Sequence, residues 1–448
     1  RAFFTLQSFK ETIEKYHATQ ILCVATSALR DAPNGQLFVD YIAKALDLHI
    51  NIIDGQLEAR YGAIAVTNLL PVTDGITVDI GGGSTDLALI RNREVVETIS
   101  LNIGTVRLKE LFIDRRVPAS KARTFVRETL QTLPEHFKHP LCIGLGGTAR
   151  TLSKAIMKES HYPFDKLHAY HYSLKEYQTF LENIAYSSTK GLKKFHIKKH
   201  RYDTVREGTL IFVELLKYLK TESVITSTAG VREGVYLDHL FPIRQSYKFP
   251  SGVNPSIASI LSRFKPIVKA EKRHKQKLQD ATQLYHMFLE QTGFTSDAYL
   301  QELHLALKLS NIGKTLTIYK ANKHAFYMSI QELNYGLTHQ QMILIALLLR
   351  TDSSNTFLKY LYEEYATLLP SEKTIKWLSF IFKLTVLLHK GTNDATLSFT
   401  FENKTLTITS DQSLYLAGES IKAMKKPDSF AIILNDQSYM PACEALGI

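Results

Sequence analysis

The sequence feature that most constrains the fold is a glycine-rich turn that joins two apolar segments, residues 76–78 and 87–90. Both segments have the aliphatic and β-branched composition of strands, and they flank the sequence Gly81-Gly82-Gly83-Ser84-Thr85. Three successive residues without Cβ atoms let backbone N–H groups approach an anion closely. Asp79 and Asp86 stand at the two ends of the turn, where carboxylates hold cations. The pattern predicts a hairpin that binds a phosphate and Mg²⁺, whereas an ordinary glycine-rich hairpin is the simpler interpretation of this segment taken alone.

Length and charge narrow the possible functions. The chain of 448 residues is long enough for about three domains, each with its own core. Its formal charge of +11 at pH 7 favours an anionic partner, such as nucleic acid, a polyanionic substrate or an acidic surface. Basic residues cluster at 193–201 and 263–277, where they either line a groove together or belong to solvated faces. No apolar run approaches the roughly 20 residues of a membrane span, so we expect a cytoplasmic protein without membrane contact.

The first 70 residues alternate between helical and strand patterns. An amphipathic helix over 2–17 precedes a buried-type strand over 20–26, and a polar loop at the carboxyl end of this strand carries Arg30. A helix and a strand over 50–53 follow, and the next helix has Glu58 in its first turn. An acidic residue there commonly compensates the helix dipole. The alternation predicts an α/β domain, with Arg30 placed to meet a phosphate.

A second glycine turn follows the strand-like run 141–145. Its residues Gly146, Gly147 and Thr148 open a predicted helix, and a glycine turn before a helix N-terminus binds anions or nucleotides. Taken alone, a glycine turn before a helix is weak evidence for a ligand site. Further along, the pattern predicts a long amphipathic helix over 206–219, a strand over 223–227 and another turn into a helix over 231–241.

Taken together, the turns resemble the exopolyphosphatase/guanosine pentaphosphate phosphohydrolase (Ppx/GppA) family. Five segments in the family's order carry the resemblance: Ala25–Arg30, Asp54–Arg60, Asp79–Asp86, Gly144–Arg150 and Gly230–Gly234. The resemblance implies an α/β fold of the actin-like ATPase (ribonuclease-H-like) type, with two lobes around a cleft. The first lobe is then expected over 1–72 with the returning helix 231–241, and the second over 73–230.

The resemblance also implies a role for each site residue. Glu58 matches the catalytic glutamate that acts as general base toward water, and Arg30 neutralises charge in the transition state. Asp79 and Asp86 match the Mg²⁺-binding positions. The remaining residues match the phosphate-binding turns, and they are Gly81, Gly82, Gly83, Ser84, Gly146, Gly147 and Thr148.

The chain departs from the family pattern at two places in this part. Family members usually have glutamate where this chain has Asp86, which is one methylene shorter. They also begin with a strand–turn–strand of the Asp-Ile-Gly-Ser-Asn-Ser type that is absent from residues 1–20. The first lobe is therefore expected to be N-terminally incomplete.

From about residue 257 the pattern becomes mostly helical. Longer family members carry an HD-type helical domain here, so the resemblance implies an HD-like domain over 257–448. Its metal-binding form would have His-Asp before Ile312-Gly313-Lys314, whereas this chain has Ser310-Asn311. We therefore expect a non-catalytic domain that extends a basic groove, with residues 265–277 near its mouth.

These expectations combine into an Mg²⁺-dependent exopolyphosphatase that releases terminal orthophosphate from inorganic polyphosphate. The closest alternative is 5′-phosphate hydrolysis of guanosine pentaphosphate, and a third is a catalytically impaired sensor that binds polyphosphate or nucleotides. The resemblance implies a homodimer, and no sequence module predicts specific nucleic-acid binding.

Overall fold

The structure of the protein is a computed structural model that describes residues 1–241, 248–250, 252–264, 274–292, 294, 296–352, 354–390 and 395–436, without the side chains of 119, 274 and 416. The chain divides into two compact units, Arg1–Gly252 and Val253–Ile448. Within the described ranges, no helix is long and apolar enough to cross a membrane.

The N-terminal unit begins with two short parallel strands and the helices around them. Strands β1 (Val24–Ala25) and β2 (Asn51–Ile52) pair in parallel. Both are shorter than the predicted strands over 20–26 and 50–53. The surrounding helices are α1 (Ala2–Lys15), α2 (Ser27–Arg30), α3 (Gly35–Leu46) and α4 (Gly55–Leu69). Helix α1 contains no buried residue, whereas α4 is buried along most of its length.

A six-stranded mixed sheet forms the centre of this unit. Its strands are β3 (Gly75–Ile80), β4 (Thr85–Arg91), β5 (Glu94–Leu101), β6 (Leu141–Leu145), β7 (His171–Ser173) and β8 (Ser223–Thr226), arranged in the order β5-β4-β3-β6-β8-β7. The β3–β4 pair is the predicted antiparallel hairpin, and β6 lies parallel to both β3 and β8. Because β6 lies beside β3, the carboxyl end of β6 adjoins the glycine turn of the hairpin.

Helices cover both faces of the sheet. Alternate residues of β3, β4 and β6 pack into a large core on one face with helices α6 (Ala119–Leu130), α7 (Gly146–Glu159), α8 (Leu174–Tyr186) and α9 (Val205–Tyr218). Residues of β4 and β6 that face the other way pack against Ala63 and Val66 of α4 and against Leu70 just after it. Helix α5 (Thr105–Leu108), which continues into a π-helical turn, follows β5, and α10 (Val231–Leu240) packs on α4.

The C-terminal unit is mostly helical, as its sequence predicts. A three-stranded sheet is formed by Leu397–Glu402, Thr405–Ser410 and Ala431–Asn435. An aromatic cluster joins this sheet to the helices, with Phe288 and Phe430 packed around Trp377. The described helices are Pro255–Arg263, His274–Met287, Leu289–Thr292, Leu300–Leu309, Ala321–Glu332, His339–Arg350, Lys359–Glu364, Glu372–Leu388 and Tyr415–Lys422.

The basic segment 265–277 was expected at the mouth of a groove. Residues 265–273 lie outside the described residues. Lys277 is 5% exposed, and its Nζ donates to Ser310 Oγ at 2.8 Å inside the helical unit. The expectation is wrong for Lys277, because its ammonium group satisfies buried acceptors instead of facing solvent.

The contact between α4 and α10 gives a stability prediction. A Cβ atom at Gly234 would collide with the carbonyl oxygen of Tyr61 on α4, whereas a Cβ at Gly230 would meet nothing within 4 Å. We expect Gly234→Ala to lower the free energy of unfolding of the N-terminal unit by about 2 kcal/mol, because backbone atoms must separate. Urea denaturation measures the change.

The matched control is Gly230→Ala at the N-cap of α10, which should lower the free energy by no more than about 1 kcal/mol, because it replaces a glycine cap without a steric collision. Equal effects of the two substitutions would contradict this account of the packing.

Candidate functional site

Two carboxylates lie side by side at the end of the hairpin. Asp79 on β3 is directly opposite Asp86 on β4, so both side chains project from the same face of the sheet, toward α4. Asp86 is in turn opposite Ser100 on β5, and Asp79 is paired with Leu145 on β6. The strand register therefore places a serine, two aspartates and the start of the second glycine turn in one row across four strands.

Two hydroxyl groups fix the Asp86 carboxylate. Ser100 Oγ donates to Asp86 Oδ1, and Ser84 Oγ donates to Asp86 Oδ2 at 3.2 Å. Asp86 is 3% exposed, and burial raises its pKa while the two hydroxyl donors oppose that rise. The Ser84 hydroxyl is therefore engaged by Asp86. The group of Ser84 that is available to a ligand is its backbone amide.

Helix α4 places Glu58 above this row. Asp54 caps the helix by accepting a hydrogen bond from the Leu57 amide at 2.8 Å. A Cβ atom at Gly55 would collide with Ser100 Oγ. Because glycine has no Cβ, the start of α4 packs directly against β5. Glu58 lies one turn further along α4, where the negative charges of Asp86 and Asp79 raise its pKa.

The Glu58 carboxylate is only weakly paired. Its side chain is 15% exposed, and its Oε2 atom is buried without a hydrogen-bond partner. Arg30 Nη1 lies 3.6 Å from that oxygen, beyond hydrogen-bond distance, and donates instead to the Ile53 carbonyl at 2.7 Å. Burial, Asp86 and Asp79 together raise the pKa of Glu58 to about 7, against the opposing charge of Arg30. A carboxyl group in this range can exchange a proton near neutral pH.

The glycine loop is held entirely from one side. The carbonyl of Gly81 accepts from the Thr105 amide at 2.9 Å, and that of Gly82 accepts from the Val106 and Arg107 amides at 2.9 and 3.1 Å. The carbonyl of Gly83 accepts from Arg107 Nε at 3.0 Å. The first turn of α5 therefore fixes three successive peptide groups of the loop.

This arrangement leaves three amide groups available. In a trans peptide group the N–H points opposite to the C=O, so the amides of Gly82, Gly83 and Ser84 point away from α5. In the described part of the chain, no protein acceptor pairs with these three amides. Successive unpaired N–H groups form an anion-binding concavity. Two neighbouring groups are not part of this concavity, because the Gly81 amide donates to the Ser84 carbonyl at 2.9 Å and Thr85 Oγ1 donates to the Ile103 carbonyl.

The second glycine turn touches the same carboxylates. Gly146 has a φ of 70°, and a Cβ there would collide with Asp79 Oδ1, so glycine is required on both counts. Burial and Asp86 raise the pKa of Asp79 to about 6, while Arg150 opposes the rise. Thr148 is 1% exposed and packs against Gly208. Its hydroxyl is therefore buried, and its amide at the start of α7 is the group that can face a ligand.

A basic pocket begins at Gly147. Its volume is about 270 Å³, and the described residues that line it include seven basic side chains and no acidic one. Arg150, Lys154 and Lys158 recur every four residues along α7 and so share one face. Opposite them, the segment 196–201 contributes His196, Lys198, His200 and Arg201. Arg201 Nε is buried without a partner, and burial together with the charge of Arg150 lowers the pKa of Arg201.

The described residues offer two carboxylates, Asp79 and Asp86, as direct cation ligands. No group of three or more His, Cys, Asp or Glu side chains with metal-binding geometry occurs among them. A pair of carboxylates suits Mg²⁺, which commonly binds to one or two carboxylates and keeps several waters.

The structure also brings residues to the site that the sequence interpretation left without a role. These are Ser100, Gly104 and Arg107. Gly104 lies against the loop so closely that a Cβ atom would collide with the Gly82 carbonyl. The signal for it was present in the sequence, since Gly104 and Thr105 follow a strand and open a helix.

Comparison with known proteins identifies the family. The model of the Ppx/GppA phosphatase family matches residues 1–241, more than half of the chain. The chain belongs to the Ppx/GppA family. The mixed sheet with helices on both faces agrees with the α/β class of fold expected for this part of the chain.

Individual relatives are more distant. A bifunctional 3-dehydroquinate synthase/phosphatase of Fusobacterium nucleatum is 32% identical over 258 residues, which are 53% of this chain and 38% of that protein. The chain thus spans well under half the length of this curated relative. A Ppx/GppA family member of Aquifex aeolicus is 28% identical with a TM-score of 0.45, covering 53% of this chain and 80% of that one. An exopolyphosphatase of Cytophaga hutchinsonii is 24% identical with a TM-score of 0.47, with the same coverage.

The raised pKa of Glu58 predicts an effect of pH on stability. Because the folded pKa of about 7 exceeds the ordinary 4.5, folded protein loses stability as pH rises from about 4.5 to about 7. We expect Glu58→Gln to raise the free energy of unfolding by about 2 kcal/mol at pH 8 and to change it little at pH 4. Denaturant titrations at both pH values measure this.

The control is Glu176→Gln, which alters an exposed acid in the first turn of α8. If Glu58 merely compensated a helix dipole, both substitutions would slightly destabilise the protein at pH 8, and the account would be contradicted.

Proposed function

We propose that this protein hydrolyses the terminal phosphoanhydride bond of inorganic polyphosphate and releases orthophosphate. The observation that carries the proposal is the position of Glu58, a weakly paired carboxylate with a pKa near 7, beside a loop with three free amides. A general base and an oxyanion site are the two parts that in-line attack of water on a phosphorus atom requires.

In the proposed mechanism, the amides of Gly82, Gly83 and Ser84 hold the oxygens of the terminal phosphoryl group. Glu58 orients a water molecule and takes its proton during attack. Arg30, 3.6 Å from Glu58, neutralises charge that develops on the phosphoryl oxygens. The bridging oxygen leaves with the shortened chain.

Mg²⁺ is the proposed cofactor, and Asp79 with Asp86 would hold it. The two aspartates are paired across β3 and β4, and both have raised pKa values because each carboxylate is buried. A divalent cation would remove that electrostatic cost. When bound, Mg²⁺ would supply charge neutralisation for the phosphoryl oxygens.

The basic pocket supports polyphosphate as the substrate class. Gly146 lies against Asp79, and the next residue, Gly147, lines the pocket, so the pocket begins beside the carboxylates. Its described lining residues include five Lys or Arg side chains and two histidines, but no Phe, Tyr or Trp ring. Repeated anionic groups match such a lining, whereas a guanine base calls for stacking or paired hydrogen-bond partners. Guanosine pentaphosphate is therefore the second candidate.

The sensor alternative is supported by Asp86, because each of its carboxylate oxygens already accepts a hydrogen bond from a serine hydroxyl.

We also propose that the helical C-terminal unit is an HD-like domain without a metal centre. Ser310 and Asn311 precede Ile312, and the Lys277 ammonium donates to Ser310, so a cation of the protein itself is already present there. A cytoplasmic homodimer is the proposed physiological form.

The direct test measures orthophosphate release from long-chain polyphosphate and from guanosine pentaphosphate, with Mg²⁺ and with EDTA. We expect faster release from polyphosphate, loss of release in EDTA and a decrease of about 10²–10⁴-fold in Glu58→Gln, because a general base contributes about that much. Glu176→Gln should retain full activity.

Preference for guanosine pentaphosphate would support the second candidate. Binding of both substrates without any release would support the sensor and exclude Glu58 as a base.

The pocket gives a separate prediction about chain length. Lys154 and Lys158 are exposed, and replacing both with Gln should raise KM for long-chain polyphosphate about tenfold while changing KM for tripolyphosphate less than twofold. The expected reason is the loss of cations that hold distal phosphates, which also weakens the salt dependence of KM.

Lys175→Gln, an exposed lysine on α8, is the control. Equal KM changes for short and long chains would contradict a distal role for the pocket.

A further inference from the structure

Arg107 connects the glycine loop with Asp31, the residue that follows α2. Its Nε atom donates to the Gly83 carbonyl at 3.0 Å, and its Nη2 atom donates to Asp31 Oδ2 at 3.3 Å. The Asp31 side chain lies so close to the loop that a Cβ at Gly83 would be 3.3 Å from Oδ2. One guanidinium group therefore contacts two segments that are separated by about 50 residues in the chain.

The contacts continue from Asp31 to the proposed base. Arg30 Nε lies 3.9 Å from Asp31 Oδ1, and Arg30 Nη1 lies 3.6 Å from Glu58 Oε2. Charges thus alternate along the row Arg107, Asp31, Arg30 and Glu58. Asp31 stands between the two arginines.

We propose that Arg107 and Asp31 are positioning residues that prepare the amide of Ser84 for the phosphoryl group, a role that rests on the proposed function of the same site. The Gly83 carbonyl and the Ser84 amide belong to one peptide group. A cation that accepts electron density from the carbonyl makes the N–H of that group a stronger donor. Asp31 holds the guanidinium in the orientation that this requires.

The geometry distinguishes this role from that of an ordinary surface ion pair. The Arg107 and Asp31 side chains are 37% and 49% exposed, so their pairing alone contributes little to stability. The contact with Gly83 is directed at one peptide group of the cradle. Substitution should therefore affect phosphate binding and turnover far more than folding.

The experiment compares Arg107→Gln, Arg107→Lys and Asp31→Asn with the control Arg115→Gln, an exposed arginine eight residues further along. Steady-state kinetics with polyphosphate give kcat and KM for each variant, and thermal unfolding gives Tm. Amide NMR of selectively ¹⁵N-serine-labelled protein follows the Ser84 resonance as tripolyphosphate is added.

We expect Arg107→Gln to lower kcat at least tenfold with little change in Tm, and to reduce the shift of the Ser84 resonance on tripolyphosphate binding. Arg107→Lys should retain more kcat than Arg107→Gln, because an ammonium group can still donate to the Gly83 carbonyl. It should not reach the wild-type kcat, because lysine lacks the planar guanidinium that contacts Gly83 and Asp31 together. Asp31→Asn should lower kcat less than Arg107→Gln, and the double variant should resemble Arg107→Gln alone.

A kcat within twofold of wild type in Arg107→Gln, or a kcat loss that follows a loss of Tm and is not rescued by Lys, would overturn the inference. If the wild-type protein releases no phosphate, the proposed function fails by itself. The NMR arm then decides, since an unchanged Ser84 response in Arg107→Gln would still overturn the positioning role and a reduced response would support it.

Discussion

The candidate site depends on the attachment of the glycine loop to the first turn of α5. Three consecutive carbonyl groups, from Gly81 to Gly83, accept hydrogen bonds from residues 105–107. A loop of glycines loses much conformational entropy when it is ordered, and these hydrogen bonds are what offsets that cost. Because the carbonyls are fixed, the amides of the same peptide groups are fixed as well, and they point away from α5. The absence of a side chain at Gly104 lets the start of α5 approach the glycine loop this closely.

The second constraint is electrostatic. Strand register places Asp79 and Asp86 opposite each other, and α4 adds Glu58 from above, so three acids share one buried region with raised pKa values. Such an arrangement destabilises the folded chain at neutral pH unless cations reside nearby. Beyond Gly147 the opposite imbalance occurs, since basic side chains surround a pocket that has no acidic side chain among its described lining residues. A substrate that carries both a metal ion and repeated negative charge would relieve both imbalances at once.

Much of this architecture can be predicted from sequence, and the exceptions have physical reasons. The strand Leu141–Leu145 and the hairpin occur as predicted, because aliphatic runs and glycine turns are local signals. The contacts of Ser100 with Asp86 and of Arg107 with Gly83 depend on pairing between distant segments, which no local pattern encodes. Thr148 has the sequence context of a ligand-binding residue, but close packing against Gly208 buries its hydroxyl. Lys277 lies in a charged run, yet its helix turns it inward toward Ser310.

The central claim is that the amides of Gly82, Gly83 and Ser84 receive the terminal phosphoryl group of a polyphosphate. A crystal structure of the Glu58→Gln variant with Mg²⁺ and tripolyphosphate tests it most directly, since turnover is then suppressed. The account predicts terminal phosphoryl oxygens at about 3 Å from these three amides, with Mg²⁺ on the side of Asp79 and Asp86. A terminal phosphate bound elsewhere, with the three amides facing only water, would contradict it.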